Sequence, residues 1–393
     1  MEKVSKYAIL SCIIATCMAT ASAIDFGGML ANDSKFTGNA FSELILDQRD
    51  DLSAWLHIPL NEKGTTYFAT EGLFQFERKD IDLFNTFDGR DSYNASALDI
   101  SLFKFVTTVE RDTYKLTLSA GRFFTTDITG IIFSQNADGV LLSYETALLH
   151  LSAYGAYTGL LNLRTVSMIG ETEAEDYDKL YQLAAKYAIG SLSLTFPTLF
   201  ANQTIGAQFL GTFHLEDETN TNLYVELGIT GPLFATVYYA VNTTLGLSKQ
   251  GSNDMEVANL TKGSVQYYAP FANAVLSLNG VFASGNGNDH NFTGFTSQTA
   301  VNALSGRTEY TNLLKTGLSA SLKPVQNVLV GATADVICNT ADSFAYEGFQ
   351  YGLSADYQVV SDASVGVSMY QYFDKDDDNR NKSCVQLKAA IAF

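Results

Sequence analysis

The 393-residue chain is 46% apolar and carries 24 Lys+Arg against 42 Asp+Glu, a formal net charge of -18. That acidic balance argues against nucleic-acid binding, and a mean hydropathy of +0.04 argues against a bundle of transmembrane helices. With 30 Gly, 21 Tyr and 26 Phe but only 5 Pro, the composition fits closely packed strands rich in aromatic side chains.

The N-terminus has the form of a secretory leader. Lys3 and Lys6 give a short positive region, Ala8 to Ala19 is mostly apolar, and Ala21-Ser22-Ala23 forms an A-x-A cleavage site. The expected division is therefore a signal peptide over 1–23 and one mature domain over 24–393. The apolar run is too short to span a membrane. Cys17 sits in only a loose lipobox, because Thr16 is a poor residue before it. Of 4 Cys, Cys338 and Cys384 lie beyond the leader. Two thiols are no disulfide framework and lack zinc-site spacing, so free thiols are expected.

After the leader there is no long segment of period 3.6. Instead, period-two segments follow one another, each separated by turn-rich polar stretches. Ile24 to Leu30 and 51–58 come first. In Thr65 to Glu77, Phe68, Gly72, Phe74 and Phe76 oppose Glu71, Gln75 and Glu77. Further strands are expected at 97–108, 112–123, 138–146, 149–157, 177–189, 190–197, 205–215, 223–229, 232–242, 257–269, 271–283, 309–322, 326–337, 345–358 and 363–373. Short links at Glu110-Arg111-Asp112, Glu145-Thr146, Gly231-Pro232 and Pro324-Val325-Gln326 alternate with long ones. The long set includes Arg78 to Ser96, Thr158 to Asp176 and Gly285 to Thr308. Acidic clusters such as Glu171 to Asp178 and Asp374 to Asp378 fit solvated loops. Counts made from the two ends disagree by one between 177 and 214. One long strand through Ser191 to His214, bulged at Pro197, would leave about 18 strands, with 16 as the alternative. No fixed-period repeat supports a propeller or solenoid.

The chain ends on its clearest alternation. Val385, Leu387, Ala389, Ile391 and Phe393 share one face, while Cys384, Gln386 and Lys388 share the other. A final strand ending in an aromatic residue resembles the C-terminal assembly signal of bacterial outer-membrane β-barrels. That resemblance implies an all-β fold, a transmembrane antiparallel β-barrel in the outer membrane. It also implies contact with membrane lipid and with the barrel-assembly machinery through Phe393. A large soluble β-protein has the same period with its apolar face inward; leader, strand number, aromatic faces and Phe393 together favour the barrel.

In such a barrel the apolar parity meets lipid and the opposite parity lines the lumen. The expected pore-lining residues are Glu71, Asp99, Lys115, Arg122, His150, Lys186, His214, Glu226, Lys315, Asp335 and Asp356. The stretch Ala120-Gly121-Arg122-Phe123-Phe124 and then Asp138-Gly139 resembles the G-R-[FQ]…D-G pattern of porins. In that pattern the Arg projects into the lumen and the following loop folds inward as a constriction. The resemblance thus assigns Asp127, Ile131, Phe133, Gln135 and Asn136 to a constriction loop. Strict alternation from Leu116 and Leu118 would point Arg122 outward, so a bulge at Gly121 is required. The four His fall in no G-x-S-x-G or H-E-x-x-H context, and no cofactor or metal site is expected. The expectation is a porin-like channel for small hydrophilic solutes or ions, with modest cation preference from the acidic balance. The competing expectation is a non-conducting barrel acting as adhesin or surface antigen. A homo-oligomer is compatible with either.

Overall fold

The structure is a computed structural model, and it describes residues 24–38, 44–82, 92–166, 179–216, 221–249, 255–270, 273–285, 293–299 and 310–393. The leader, the whole Glu171 to Asp178 cluster and most of the Gly285 to Thr308 stretch lie outside these residues. The described chain is almost entirely strand. The first six are β1 (Asp25–Gly38), β2 (Ile45–Pro59), β3 (Thr66–Asp82), β4 (Tyr93–Glu110), β5 (Lys115–Thr126) and β6 (Ser134–Glu145). Next come β7 (His150–Tyr157), β8 (Tyr187–Phe200), β9 (Gln203–His214), β10 (Thr221–Phe234), β11 (Val237–Lys249) and β12 (Glu256–Ala269). The last six are β13 (Ala274–Ala283), β14 (Leu313–Val325), β15 (Val328–Asn339), β16 (Ala345–Val360), β17 (Ala363–Asp374) and β18 (Lys382–Ala392).

Each strand pairs antiparallel with the next, and β1 pairs with β18, so the 18-stranded sheet closes on itself. Closure matters because an open edge would leave a row of unpaired amides and carbonyls. The seam is tight. Gly28 N donates to Phe393 O at 2.9 Å and Phe393 N donates back to Gly28 O at 3.0 Å. Gly28 has a packing reason: a Cβ there would meet the Phe393 ring.

The side-chain period decides what faces where. Leu98, Leu142, Leu192, Phe209, Leu227, Leu278, Leu318, Leu353 and Leu387 are all more than 40% exposed, so the greasy side of the sheet points outward. The terminal strand behaves as its alternation requires, with Leu387, Ile391 and Phe393 exposed and Cys384 buried. Cys338 and Cys384 are free thiols.

Three expectations need correction. No strand runs over 177–189; the described part, 179–186, is loop, and the strand begins at Tyr187. Ser191 to His214 is two strands, β8 and β9, which turn at Ala201-Asn202, both with positive φ. Asn tolerates the left-handed conformation that such a turn needs, whereas Pro197 lies inside β8 where its pairing with β9 is irregular. The two errors cancel, which is why the count of 18 survives. Gly231-Pro232 and Pro324-Val325 belong to β10 and β14, and the turns fall at 235–236 and 326–327.

An inward-folded segment and a polar wall

β5 and β6 do not stay in the wall for their whole length. β4 pairs with β5 only from Phe103↔Arg122 to Glu110↔Lys115, and β6 pairs with β7 only up to Asp138↔Tyr157. Above that level, Phe123 to Thr126 and Ser134 to Ala137 pair only with each other. This free end of the hairpin, with its tip at 127–133, turns into the barrel.

Gly121 makes the turn. Its φ is +119°, a conformation that other residues adopt only under strain, and a Cβ would collide with the Phe103 carbonyl oxygen. The pairing of β5 shows no register shift on either side, so the hairpin leaves the wall at a left-handed glycine and the expected bulge at Gly121 is not formed; by register Arg122 keeps the face of its partner Phe103. We expect Gly121→Ala to impair assembly of the barrel more than Gly72→Ala, where a Cβ meets nothing. The folded fraction on a heat-modifiability gel measures this; equal yields would refute it.

Arg122 is 7% exposed and sits where the hairpin leaves the wall. Its Nε and Nη2 bond both Asp138 oxygens at 2.9 Å, and Nη1 bonds Asp99 Oδ1 at 2.7 Å. It also donates to the carbonyls of Ile100 and Leu160. The last contact reaches a patch that replaces the departed hairpin. Leu98 N donates to Leu180 O, Asn162 Nδ2 to the carbonyls of Leu98 and Leu180, and Leu163 N to Gln182 O. Leu160, Leu180, Tyr181 and Leu183 are exposed on this patch. Irregular backbone is tolerable beside lipid only when its polar groups are satisfied within the protein, and these bonds satisfy the Leu98 and Leu163 amides and the Leu160, Leu180 and Gln182 carbonyls.

Asp127 folds the tip. Its Oδ1 accepts the amides of Ile132 (3.0 Å) and Phe133 (2.8 Å), and its Oδ2 accepts the Thr129 amide at 2.8 Å and the Thr129 hydroxyl. The tip then crosses to the far strands. Ile128 N donates to Gln208 Oε1 on β9, Lys262 Nζ on β12 to Thr129 O, and Ser134 N to Thr299 Oγ1. Gln298 N and Thr299 N both donate to Ile132 O, so part of the Gly285 to Thr308 connection returns into the barrel. Ile131, Ile132 and Phe133 are buried with Tyr187, Leu210, Tyr224, Leu260, Phe295 and Ile337. An apolar core therefore fills the barrel beside β8 to β15.

The remaining inner face is polar. By register, Asp33, Arg49 and Glu77 lie side by side on β1, β2 and β3, with Lys388 beside Asp33. Gln386 Nε2 bonds Asp33 at 2.7 Å, and Arg49 pairs with Asp51 at 2.7 Å.

The expected site residues distribute as follows. Glu71 and Asp356 lie on the inner face of the polar side, and Asp335 accepts from Gln350 Nε2 at 2.7 Å. Lys115, Glu145 and His150 are cross-strand neighbours at the short-turn end, with Lys115 and Glu145 3.6 Å apart. Lys315 stands beside Val281 and Ile337, and His214 packs edge-on against Tyr187 at 4.7 Å. Glu226 is fully buried beside Asp127 and the Ile128 and Thr129 amides. Arg122 and Asp99 are locked in their ion pair rather than free at a water-filled surface. Lys186 is a correction: it precedes β8, its side chain is 45% exposed, and it pairs with Glu216 at 2.5 Å. That bond holds the Glu216 carboxyl below its ordinary range and the Lys186 ammonium above its own.

Of the expected loop residues, Asp127, Ile131 and Phe133 are in the tip or its return, and Gln135 and Asn136 open β6. Ile131 and Phe133 point into the apolar core, while Asn136 Nδ2 bonds Ser101 O. Lys104, 4.7 Å above the Phe123 ring, Gln208 and Gln298 were not singled out by sequence. Only the inward parity of Lys104 and Gln208 marks them.

A closed 18-stranded antiparallel barrel, apolar outside and carrying an inward-folded β5–β6 segment, defines a porin-type β-barrel fold. The chain matches no protein-family model and no curated protein. Among solved structures it resembles OprD of Pseudomonas aeruginosa, an outer membrane protein, at 12% identity and TM-score 0.56, over 95% of each chain. OccK5 (OpdH) of the same organism aligns at 12% identity and TM-score 0.60, over 94% of this chain and 98% of its own. OpdQ of Pseudomonas aeruginosa aligns at 11% identity and TM-score 0.59, over 95% and 99%.

Proposed function

We propose that the protein is an outer-membrane channel through which small hydrophilic solutes or ions diffuse passively, with modest cation preference. The observation that carries this reading is the division of the interior. An apolar core anchors the inward segment against β8 to β15, leaving an acid-rich polar inner face on β1 to β3. Opposed charges alone could fill a narrow barrel, but 18 strands enclose more space than side chains fill. The outward apolar face and the outward, 73% exposed Phe393 support insertion in the outer membrane with help from the barrel-assembly machinery.

The excess of carboxylates raises the local cation concentration. In a planar bilayer under a KCl gradient, the reversal potential should take the sign of potassium selectivity. Anion selectivity would overturn the preference, and absence of conductance from folded protein would overturn the channel and favour an adhesin.

A further inference from the structure

The outer face carries one feature that a lipid-facing surface does not explain. On β1 and β2 the outward row reads Leu30, Asn32, Ser34, Phe36 and Leu46, Gln48, Asp50, Leu52. Asp50 lies opposite Asn32 on one side and the exposed Phe76 on the other, so it shares their outward face. Asn32 Nδ2 donates to Asp50 Oδ1 at 2.7 Å, Gln48 Nε2 to Asp50 Oδ2 at 3.3 Å, and Ser34 Oγ to Asn32 Oδ1 at 3.1 Å. Apolar residues lie both above this cluster (Phe36, Leu46) and below it (Leu30, Leu52). It is a polar island inside the apolar band, not the edge of the headgroup region.

Asn32 and Asp50 line one side of a groove of about 600 Å³ whose other walls include Leu30, Phe74, Phe76, Val365 and Ile391. One position further along β3, opposite Gln48, stands the outward and exposed Arg78. Neither Arg78 nor Asp50 makes an ion pair among the described residues. A carboxylate facing hydrocarbon is unfavourable, and a concave face with satisfied amides and two unspent charges of opposite sign is suited to protein. The patch is also complementary to itself: a two-fold axis through it sets Arg78 of each copy against Asp50 of the other, the reciprocal arrangement of an isologous interface.

We propose that the outer face of β1 to β3 binds a second copy of this chain, with Arg78 and Asp50 paired reciprocally across a two-fold axis. This rests on the reading that the barrel lies in a membrane, but not on its conductance.

The test is the mass of the full mature chain in detergent, by light scattering across a dilution series. The wild type should show two copies. Asp50→Arg and Arg78→Asp should each weaken association roughly tenfold or more, and the double swap should restore it. Unitary conductance should be unchanged in all three variants. A wild type that is monomeric throughout, or single variants that remain dimeric, would overturn the proposal. So would double-swap protein that folds and conducts but stays monomeric. An Arg78 that merely swings to its own Asp50, or a lipid held in the groove, gives the monomeric result. A chain that stays dispersed without detergent would instead remove the membrane reading beneath it.

Discussion

Asp127→Ala should raise single-channel conductance severalfold and make the current noisier, while the barrel still forms. The reason is local. One carboxylate accepts the amides of Thr129, Ile132 and Phe133, all within a tip that crosses the interior. Leaving buried amides without an acceptor costs about 1–3 kcal/mol each. Glu226 lies beside the Ile128 and Thr129 amides, but Asp127 Oδ1 alone receives those of Ile132 and Phe133, so the tip is expected to give up its fold and its contacts to Gln208 and Thr299. The wall does not depend on it, because the strand pairings from β7 to β18 and from β18 through β1 to β4 are independent of the tip. Liposome swelling should show larger sugars entering the variant. Asp127→Asn, which keeps one acceptor oxygen, should fall between. Unchanged conductance and sugar cut-off in Asp127→Ala would show that the segment does not narrow the passage.

The largest effect on stability is expected for Arg122→Ala. Its guanidinium holds Asp99 and Asp138 together with the carbonyls of Ile100 and Leu160. The Arg122 and Asp99 side chains are 9% and 3% exposed. Removing one member of a buried pair strands the other's charge, at about 3–5 kcal/mol. Urea unfolding in detergent should show a loss of that order. Adding Asp99→Asn to Arg122→Ala should recover part of it, since one stranded charge is then gone. Arg122→Lys should also be weakened, because an ammonium cannot span two carboxylates and two carbonyls. A midpoint equal to wild type in Arg122→Ala would mean the hairpin is held at its branch by packing alone.

Strand identity was legible wherever one face was uniformly apolar, as in Thr65 to Glu77 and in Val385 to Phe393. It failed at 179–186, an apolar-rich stretch without strict alternation: with Leu180, Tyr181 and Leu183 exposed it patches the wall and is not a strand of the sheet. The inward segment was legible through Gly121, Arg122 and Asp138-Gly139. What holds it was not: Gln208, Lys262 and Thr299 are far from it in sequence, and periodicity is blind to which inward residue meets a returning loop. The outward Asp50 was equally hidden, since a lone carboxylate breaks no local pattern until register places it beside Leu30 and Phe76.

The reciprocal hydrogen bonds between Gly28 and Phe393 have a consequence for how the polypeptide can be wired. Because its first and last strands are neighbours, the ends could be spliced together and the chain cut at the 326–327 turn, and every strand would keep both partners. Such a circular permutant should reach the same closed cylinder while no longer finishing on an aromatic residue. It would thus test whether the terminal ring matters to the finished wall alone or also to delivery into the membrane.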